Sequence, residues 1–242
     1  MLAPARRPRQ RFRCRALKAT SDIVHLVAPF RRCLVGFGSR PKLAYAGVMS
    51  LYLSGDEAAD ELLASEPLAL LIGMVLDQQI PMERAFKAPF DLKERLGGRL
   101  DPAAISDMAP DDLAAVFGAK PALHRFPRSM AGRVQEVCGA VVDSYGGDAS
   151  AIWTAAEDGQ HLLKNVKALP GFGDQKARIF VALLGKQFAI RPTGWEQAAG
   201  SYGETGSHRS VADIDSPEAL AKVRQFKQQA KAEARAKLPN PG

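Results

Sequence analysis

Apolar residues recur at helical spacing along most of the chain from about residue 49 onward. The segment "PRSMAGRVQEVCGAVVDSYGG", residues 127–147, places Met and Val three or four positions apart and stops at a glycine pair, as an amphipathic helix does. The segments "GQHLLKNVKAL", residues 159–169, and "DQKARIFVALLGKQF", residues 174–188, show the same spacing. No stretch alternates convincingly between apolar and polar residues, as a half-buried strand would. The pattern therefore predicts an all-α fold.

Prolines, acids and glycines mark further helix boundaries. Pro67 opens an apolar segment that runs to about residue 79, and Pro81 ends it and opens the next helix. The segment "APDDLAAVFG", residues 109–118, has acids in its first turn and glycine at its end. Ser216 is expected to cap a C-terminal helix. Residues 189–215, rich in Gly, Ser and Thr, are predicted to form one long irregular segment, a type of loop that is often functional.

Composition narrows the class of protein. The longest unbroken hydrophobic run, Leu68 to Leu76, is far shorter than the ~20 residues that cross a bilayer. Three scattered cysteines cannot form a disulfide framework or a four-cysteine iron–sulfur site, and no histidine shows metal-ligand spacing. We therefore expect a cytoplasmic protein in a reducing compartment, with no membrane segment, no metal and no iron–sulfur cluster.

The formal net charge of +7 is unevenly distributed. Residues 1–48 carry 11 Lys and Arg residues against the single Asp22, so the rest of the chain is slightly acidic. This basic arm shows no clear helical or strand periodicity and is expected to be disordered. It fits a DNA-binding tail, an organelle-targeting segment or an upstream translation start, and we favour the last. The domain then spans residues 49–237, followed by a tail of residues 238–242. The terminal helix offers a phosphate-tracking face or an ordinary solvated surface, formed by Lys222, Arg224, Lys227, Lys231, Arg235 and Lys237.

The stretch "LPGFG", residues 169–173, separates two predicted helices by a short turn. Gly171 and Gly173 permit positive φ and a close approach of the backbone, and Phe172 is expected to point inward. The free N–H groups of this hairpin and of the helix that starts at Asp174 would then face one way and could bind a phosphate oxygen. A simple tight turn between helices explains the spacing about equally well.

Three segments together resemble the base-excision DNA glycosylases. The stretch "LPGFGDQKARIFVALLGK", residues 169–186, resembles the second half of the helix-hairpin-helix motif that names this superfamily, HhH-GPD. Residues 123–150 and residues 70–86, "LLIGMVLDQQIPMERAF", are similar to two earlier helices of the family, in the same order. The resemblance covers roughly residues 49–237. It implies two helical subdomains with a cleft between them, into which a base is flipped from duplex DNA.

The resemblance also implies roles for individual residues. The hairpin amides would bind DNA phosphate, with a monovalent cation on the hairpin carbonyls, and Lys176 and Lys186 are candidate charge partners. Asp174 could instead cap the helix and compete for the same amides. The glutamine that fills the space left by the flipped base corresponds to Gln79, although Gln78 and Gln79 could equally satisfy the carbonyls freed by the nearby proline. The candidate DNA-binding residues are Gly171, Phe172, Gly173, Asp174, Gln175, Lys176, Gln78 and Gln79.

The sequence departs from the family at the catalytic positions, which indicates a divergent bacterial branch. The aspartate expected after the second hairpin helix falls on Pro192 or Thr193, and neither supplies the carboxylate that would stabilise the sugar cation. The lysine that forms a Schiff base in strand-cleaving members is replaced by Gln175, so no lyase activity is expected.

Two other acids remain as candidates for the catalytic group. Asp77 lies near the C-terminus of a buried helix, where the dipole disfavours an acid and where a broken local rule points to function; a polar residue at a subdomain seam is the alternative. Glu196 could be catalytic or an ordinary loop acid. Trp195 and Tyr202 could stack on an extruded base or simply anchor their loop.

Three functions are compatible with these observations. The first is a monomeric, monofunctional DNA glycosylase that hydrolyses the N-glycosidic bond of a damaged or mismatched base in double-stranded DNA. The second is a catalytically inactive protein that binds lesions or distorted DNA with the same fold. The third is a helical interaction protein whose hairpin is only a turn.

Overall fold

The structure of the chain is a computed structural model, and it describes residues 51–236, with side chains to residue 233. Within this range the chain forms α-helices and two 3₁₀ turns, and no strand. The predicted all-α fold is therefore confirmed. The expectations for the arm of residues 1–48, for the tail of residues 238–242 and for the side chains of Arg235 and Lys237 lie outside the described residues.

The helices pack in two neighbouring groups, α1 to α6 and α7 to α11. The 3₁₀ turns, Gly200–Tyr202 and Val211–Asp213, belong to the second group. In chain order the helices are α1 Glu57–Ser65, α2 Pro67–Leu76, α3 Met82–Arg95, α4 Pro102–Asp107, α5 Pro110–Gly118, α6 Pro127–Tyr145, α7 Ala151–Thr154, α8 Gly159–Lys167, α9 Asp174–Gln187, α10 Trp195–Ala199 and α11 Pro217–Ala236.

The longer helices and α5 begin and end close to the predicted residues, whereas the helices of four to six residues, α4, α7 and α10, are not among the predicted ones. The segment 189–215, expected to be irregular, contains α10 and both 3₁₀ turns. A five-residue helix is too short to show a hydrophobic period. Helix α4 did carry a detectable signal, because the Asp101 carboxylate caps it by accepting hydrogen bonds from the amides of Ala103 and Ala104.

The core is centred on α2 and α9. Every residue of α2 from Leu68 onward is buried, as is most of the second half of α9, which explains why these helices carry long apolar runs. The ring of Phe180 packs against Trp153 and Phe172 at centroid distances of 6.0 and 5.8 Å. Of the described helices, none has the length and hydropathy that a membrane span requires.

Close backbone contacts hold the segment around α10 against α8 and α9. The amide of Gly159 donates a hydrogen bond to the carbonyl of Thr193 at 2.8 Å. A Cβ at Gly159 would lie 2.5 Å from the carbonyl oxygen of Gly194, and a Cβ at Gly185 would lie 2.3 Å from the ring of Trp195. Glycine is therefore required where this segment crosses the two helices, and the Trp195 ring anchors it on α9.

We expect the Gly159→Ala substitution to lower the free energy of unfolding by about 1 to 3 kcal/mol, because the new methyl group overlaps backbone atoms that cannot move independently. The measurement is thermal or urea unfolding of the full chain. Gly132→Ala is the matched control, since a Cβ at this helical position in α6 meets nothing within 4 Å; it should be stabilising by about 0.5 to 1 kcal/mol. Equal effects of the two substitutions would contradict the proposed close contact.

Candidate functional site

The hairpin between α8 and α9 is fixed to the core by its apolar residues. Leu169 and Phe172 are 4% exposed, so Phe172 points inward as expected. The amide of Phe172 donates a hydrogen bond to the carbonyl of Leu169 at 3.2 Å. Gly171 has a φ of 79°, a conformation that favours glycine. The turn is thus rigidly placed, while both glycines remain exposed.

Backbone amides at the start of α9 are left without acceptors. Among the described residues, no group accepts a hydrogen bond from the amides of the hairpin glycines or of the first three residues of α9. These N–H groups and the dipole of a 14-residue helix form a site suited to an anion such as a phosphate oxygen. The donors are the amides of Gly171, Gly173, Asp174, Gln175 and Lys176.

The carboxylate of Asp174 leaves these amides free. It forms ion pairs with Lys167 and Arg178, both at 2.8 Å, and these two hydrogen bonds lower the pKa of Asp174 to about 2. The residue that caps α9 is Gly173, with no side-chain hydrogen bond. Asp174 therefore does not cap the helix, because its carboxylate is paired with two cations.

Lys176 is directed into the protein. Its ammonium donates hydrogen bonds to the carbonyls of Met74, at 2.8 Å, and Val75, at 3.2 Å, in the last turn of α2. Burial lowers the pKa of Lys176, and the Asp77 carboxylate opposes that effect. The side chain thus supplies charge to the C-terminal carbonyls of α2 and ties the start of α9 to the end of α2.

Gln78 closes the end of α2 through three polar contacts. Its Nε2 donates to the carbonyl of Val75 at 2.7 Å, and its Oε1 accepts from Arg133 Nη1 at 3.2 Å. Its carbonyl lies 2.9 Å from His124 Nε2. The amide of Phe126 donates to His124 Nδ1 at 3.0 Å, so Nε2 must carry the proton and donate to Gln78. Burial lowers the pKa of His124, which is consistent with this neutral tautomer.

Gln79 differs from its neighbour in exposure and in backbone conformation. Its side chain is exposed and has no hydrogen bond within the described part of the chain. Its φ is 58°, a left-handed conformation that costs a residue other than glycine about 1 to 2 kcal/mol. Backbone strain of this kind concentrates at functional sites. Gln79 therefore presents a free amide at a strained corner, whereas Gln78 has the structural role that the sequence left open.

A cavity of about 450 Å³ lies between the end of α2, the start of α9, the 3₁₀ turns and α11. Gln175 Nε2 donates to the hydroxyl of Tyr202 at 2.9 Å on its wall. We call it the Asp77 cavity. It is lined by Asp77, Gln175, Ile179, Ser201, Tyr202, Arg209, Ser210, Val211, Phe226, Lys227 and Ala230.

Asp77 is an unpaired acid at the edge of this cavity. None of the described residues donates a hydrogen bond to its carboxylate, and its backbone is the C-terminal cap of α2. Burial raises the pKa of Asp77, and Glu83 contributes to the rise, while the charges of Lys227 and Lys176 oppose it. The structure thus places a partly desolvated carboxylate between two cations, beside open space.

Trp195 and Glu196 lie apart from Asp77. They line a second cavity, of about 470 Å³, together with residues from the end of α9. Gln175 and Lys186, one from each cavity, are eleven residues apart on α9, which corresponds to roughly 17 Å along the helix. The structure therefore brings Asp77, Gln175 and Tyr202 together and separates them from Trp195 and Glu196, whose functional roles remain predictions.

Two exposed or half-buried residues with suitable chemistry, Arg133 beside the hairpin and Phe126 beside His124, were not predicted from the sequence. Arg133 Nη1 lies 4.0 Å from the position that a Cβ of Gly171 would occupy, so this guanidinium lies between the hairpin and Gln78. Phe126 is 41% exposed, with the guanidinium of Arg125 5.2 Å from its ring centroid. The Arg-Phe-Pro sequence at the start of α6 is a signal that could have indicated an exposed aromatic residue. No signal in the sequence indicates the position of Arg133.

An all-helical fold with a glycine-rich hairpin, free helix amides and a neighbouring cavity defines the class of protein. The family model of the HhH-GPD superfamily base excision DNA repair proteins matches residues 72–239, so the chain belongs to this superfamily. At that level it is a base excision DNA repair protein that binds DNA. No curated protein and no solved structure matches the chain significantly.

Replacing Asp77 by asparagine should stabilise the fold near neutral pH. The pKa of Asp77 is raised from its ordinary value of 3.8 in the folded protein. The unfolded chain therefore ionises at a lower pH than the folded one, and the free energy of unfolding falls as the pH rises through the folded-state pKa. Asp77→Asn removes this loss and the unfavourable interaction with the helix dipole. We expect a gain of about 0.5 to 1 kcal/mol in the free energy of unfolding at about pH 7, which disappears below about pH 4.

The control for this comparison is Asp143→Asn. Asp143 also lies in the last turn of a helix, α6, but it is exposed. Its replacement should change stability by no more than a few tenths of a kcal/mol. An Asp77→Asn protein that is less stable than the wild type at neutral pH would contradict the description of Asp77 as an unpaired acid.

Proposed function

We propose that the protein is a monofunctional DNA glycosylase that acts as a monomer on double-stranded DNA containing a damaged or mismatched base. The observation that carries this proposal is the unpaired Asp77 carboxylate in a cavity next to the helix whose free amides suit a phosphate. The two features are linked because the ammonium of Lys176, near the start of α9, is bonded to the carbonyls at the end of α2. Backbone binding and base chemistry would therefore be served by one rigid unit.

The DNA backbone would be bound at the hairpin. The free amides of the hairpin and of α9 provide neutral donors, and the guanidinium of Arg133 provides a positive charge beside Gly171. Contacts of this kind fix the position of the duplex without reading its sequence. The carbonyls of Pro170, Gly171 and Phe172 accept no hydrogen bond from the described residues, so they fit a monovalent cation, which would link hairpin oxygens to phosphate oxygens.

Gln79 and Phe126 are suited to hold the duplex open. Gln79 carries an exposed, unpaired amide at a strained corner, and Phe126 is an exposed ring connected to the same corner through His124. Apolar side chains that enter a base step unstack it, and unstacking assists extrusion of a nucleotide. We propose that Gln79 fills the space that the flipped base leaves.

The extruded base would enter the Asp77 cavity. Tyr202 and Phe226 line it and offer rings for stacking, which is worth about 1 to 3 kcal/mol per base. As the N-glycosidic bond breaks, its electron pair leaves with the base and positive charge develops on the sugar. The Asp77 carboxylate would stabilise this charge or accept a proton from the water that adds to C1′. Its raised pKa makes this carboxylate a stronger base than an ordinary aspartate.

The same geometry argues against strand cleavage by a Schiff base. Gln175 has no amine, and the ammonium of Lys176 is bonded to two carbonyls of α2. An inactive, lesion-binding protein is the second candidate function, and one observation favours it: Pro192 and Thr193, the two positions expected to correspond to the family's aspartate, carry no carboxylate. The first experiment below tests the DNA binding that both functions share, and the second separates them.

Replacement of both hairpin glycines by alanine should weaken DNA binding by at least about tenfold, because donors to a charged phosphate are displaced. The loss should be the same for duplexes of different sequence, since phosphate contacts do not specify bases. The measurement is fluorescence anisotropy with duplexes that contain an abasic-site analogue, at several salt concentrations. Gly146→Ala is the control for backbone strain, because Gly146 also has a positive φ, of 60°, but it ends α6. Undiminished affinity in a folded double variant would refute phosphate binding at the hairpin.

A panel of lesion-bearing duplexes, treated with alkali after incubation, should reveal abasic product from at least one lesion. Asp77→Asn should reduce this product by on the order of 100-fold or more, whereas Glu196→Gln, in the other cavity, should not. Incubation with borohydride should trap no covalent adduct. Absence of product from every lesion, with DNA binding intact, would favour the inactive binder, and a trapped adduct would contradict the monofunctional assignment.

A further inference from the structure

The second cavity, at the far end of α9, has no role in the proposed function. Its volume of about 470 Å³ lies in the range of small-molecule sites. We call it the Gln187 cavity. It is lined by Lys186, Gln187, Arg191, Trp195, Glu196, Thr205, Gly206, Ser207, His208, Ala212, Asp213 and Asp215.

The buried ion pair in this cavity is fully used within the protein. Lys186 Nζ donates to the carbonyl of Glu204, the hydroxyl of Ser207 and the carboxylate of Asp213, at 2.8, 3.2 and 2.6 Å. The other carboxylate oxygen of Asp213 accepts hydrogen bonds from the amides of Arg209 and Ser210. An ammonium has three donors, so Lys186 has none left for a ligand. The pair shapes the loop and does not bind an anion.

The polar atoms of the Gln187 cavity that lack a hydrogen-bond partner are mainly acceptors. Gln187 is 4% exposed, and its Nε2 donates to the carbonyl of Ala212 at 3.1 Å, which fixes the orientation of the amide. Its Oε1 is buried and accepts no hydrogen bond from the described residues. Nδ1 of His208 is likewise buried and has no hydrogen-bond partner among them. A buried acceptor left without a donor costs about 1 to 3 kcal/mol, so a ligand that donates to Gln187 is favoured.

The charged side chains that line the cavity also favour a cationic ligand. Two carboxylates of the lining, Glu196 and Asp215, have no ion-pair partner in the described part of the chain. The lining has one cation besides Lys186, Arg191, whose Nε donates to the carbonyl of Gly185. No group of His, Cys, Asp and Glu among the described residues could hold a metal ion. The ring of Trp195 adds an aromatic wall, which attracts organic cations.

We propose that the Gln187 cavity binds a small organic cation that carries several N–H donors, of the guanidinium or primary ammonium class. The cation would donate to Gln187 Oε1 and pair with the carboxylate of Glu196. The cavity is a separate site, since it lies at the opposite end of α9 from the Asp77 cavity, and the proposal does not depend on glycosylase activity.

One loop forms walls of both cavities. Ser207 and His208 line the Gln187 cavity, and the residues that follow, Arg209, Ser210 and Val211, line the Asp77 cavity. A cation bound at the first site would therefore restrain a wall of the second. This arrangement offers a physical connection between the new site and the proposed base pocket.

The test is isothermal titration calorimetry of the full chain with agmatine, which carries both a guanidinium and a primary ammonium. We expect saturable binding that Gln187→Leu weakens by about tenfold or more, because a hydrogen bond to a charged donor is lost. Glu196→Gln should weaken it as well, and more so at low salt. Because Glu196 is exposed, this second variant should fold even if Gln187→Leu does not.

Matched controls locate the site. Gln197→Leu and Glu218→Gln change exposed residues of the same types outside the cavity and should leave agmatine binding unchanged, as should Asp77→Asn in the other cavity. Absence of agmatine binding, or binding that Glu196→Gln does not alter, would overturn the proposal. In that case water satisfies Gln187 Oε1, or the cation binds elsewhere.

Discussion

The ammonium of Lys176, bonded to the last carbonyls of α2, is the interaction on which the geometry of the site depends. It joins the start of α9, with its free amides, to the end of α2, with Asp77 and Gln79. A helix end that lacks donors is unfavourable, and here one charge supplies them from another helix. The spacing between these free amides and Asp77 is therefore set by a charge-assisted hydrogen bond and not by a flexible linker.

Local energetic costs are concentrated at the corner after α2. Asp77 is an acid at the wrong end of a helix, and Gln79 has a left-handed backbone, although the surrounding helices are well packed. The structure holds both because Gln78 is bonded to Val75, Arg133 and His124. Proteins tend to break local rules at functional sites and compensate elsewhere. Gln78 provides that compensation here, which leaves the side chains of Asp77 and Gln79 without hydrogen bonds in the described part of the chain.

Much of the fold could be predicted from the sequence, but the division of the candidate residues between two cavities could not. Helical periodicity and boundary residues located the long helices, and the glycines located the hairpin, because these signals are local. The inward direction of Lys176 and the distance between Asp77 and Glu196 depend on how α2 and α9 pack, which no local pattern encodes. Trp195 shows the same limit: its sequence position suggests an aromatic residue in a loop, but only the packing shows that its ring contacts Gly185.

The double ion pair of Asp174 affects how the protein would search DNA. Lys167 and Arg178 are already neutralised in part by a resident carboxylate, so a phosphate that reaches the hairpin must share them. Affinity for undamaged duplex grows with the number of phosphates that are newly neutralised and counterions released. The resident carboxylate lowers that number, while the neutral amides keep their directional hydrogen bonds. Contact between the hairpin and a phosphate would thus depend on the direction of these amides more than on charge neutralisation, and it would vary less steeply with salt.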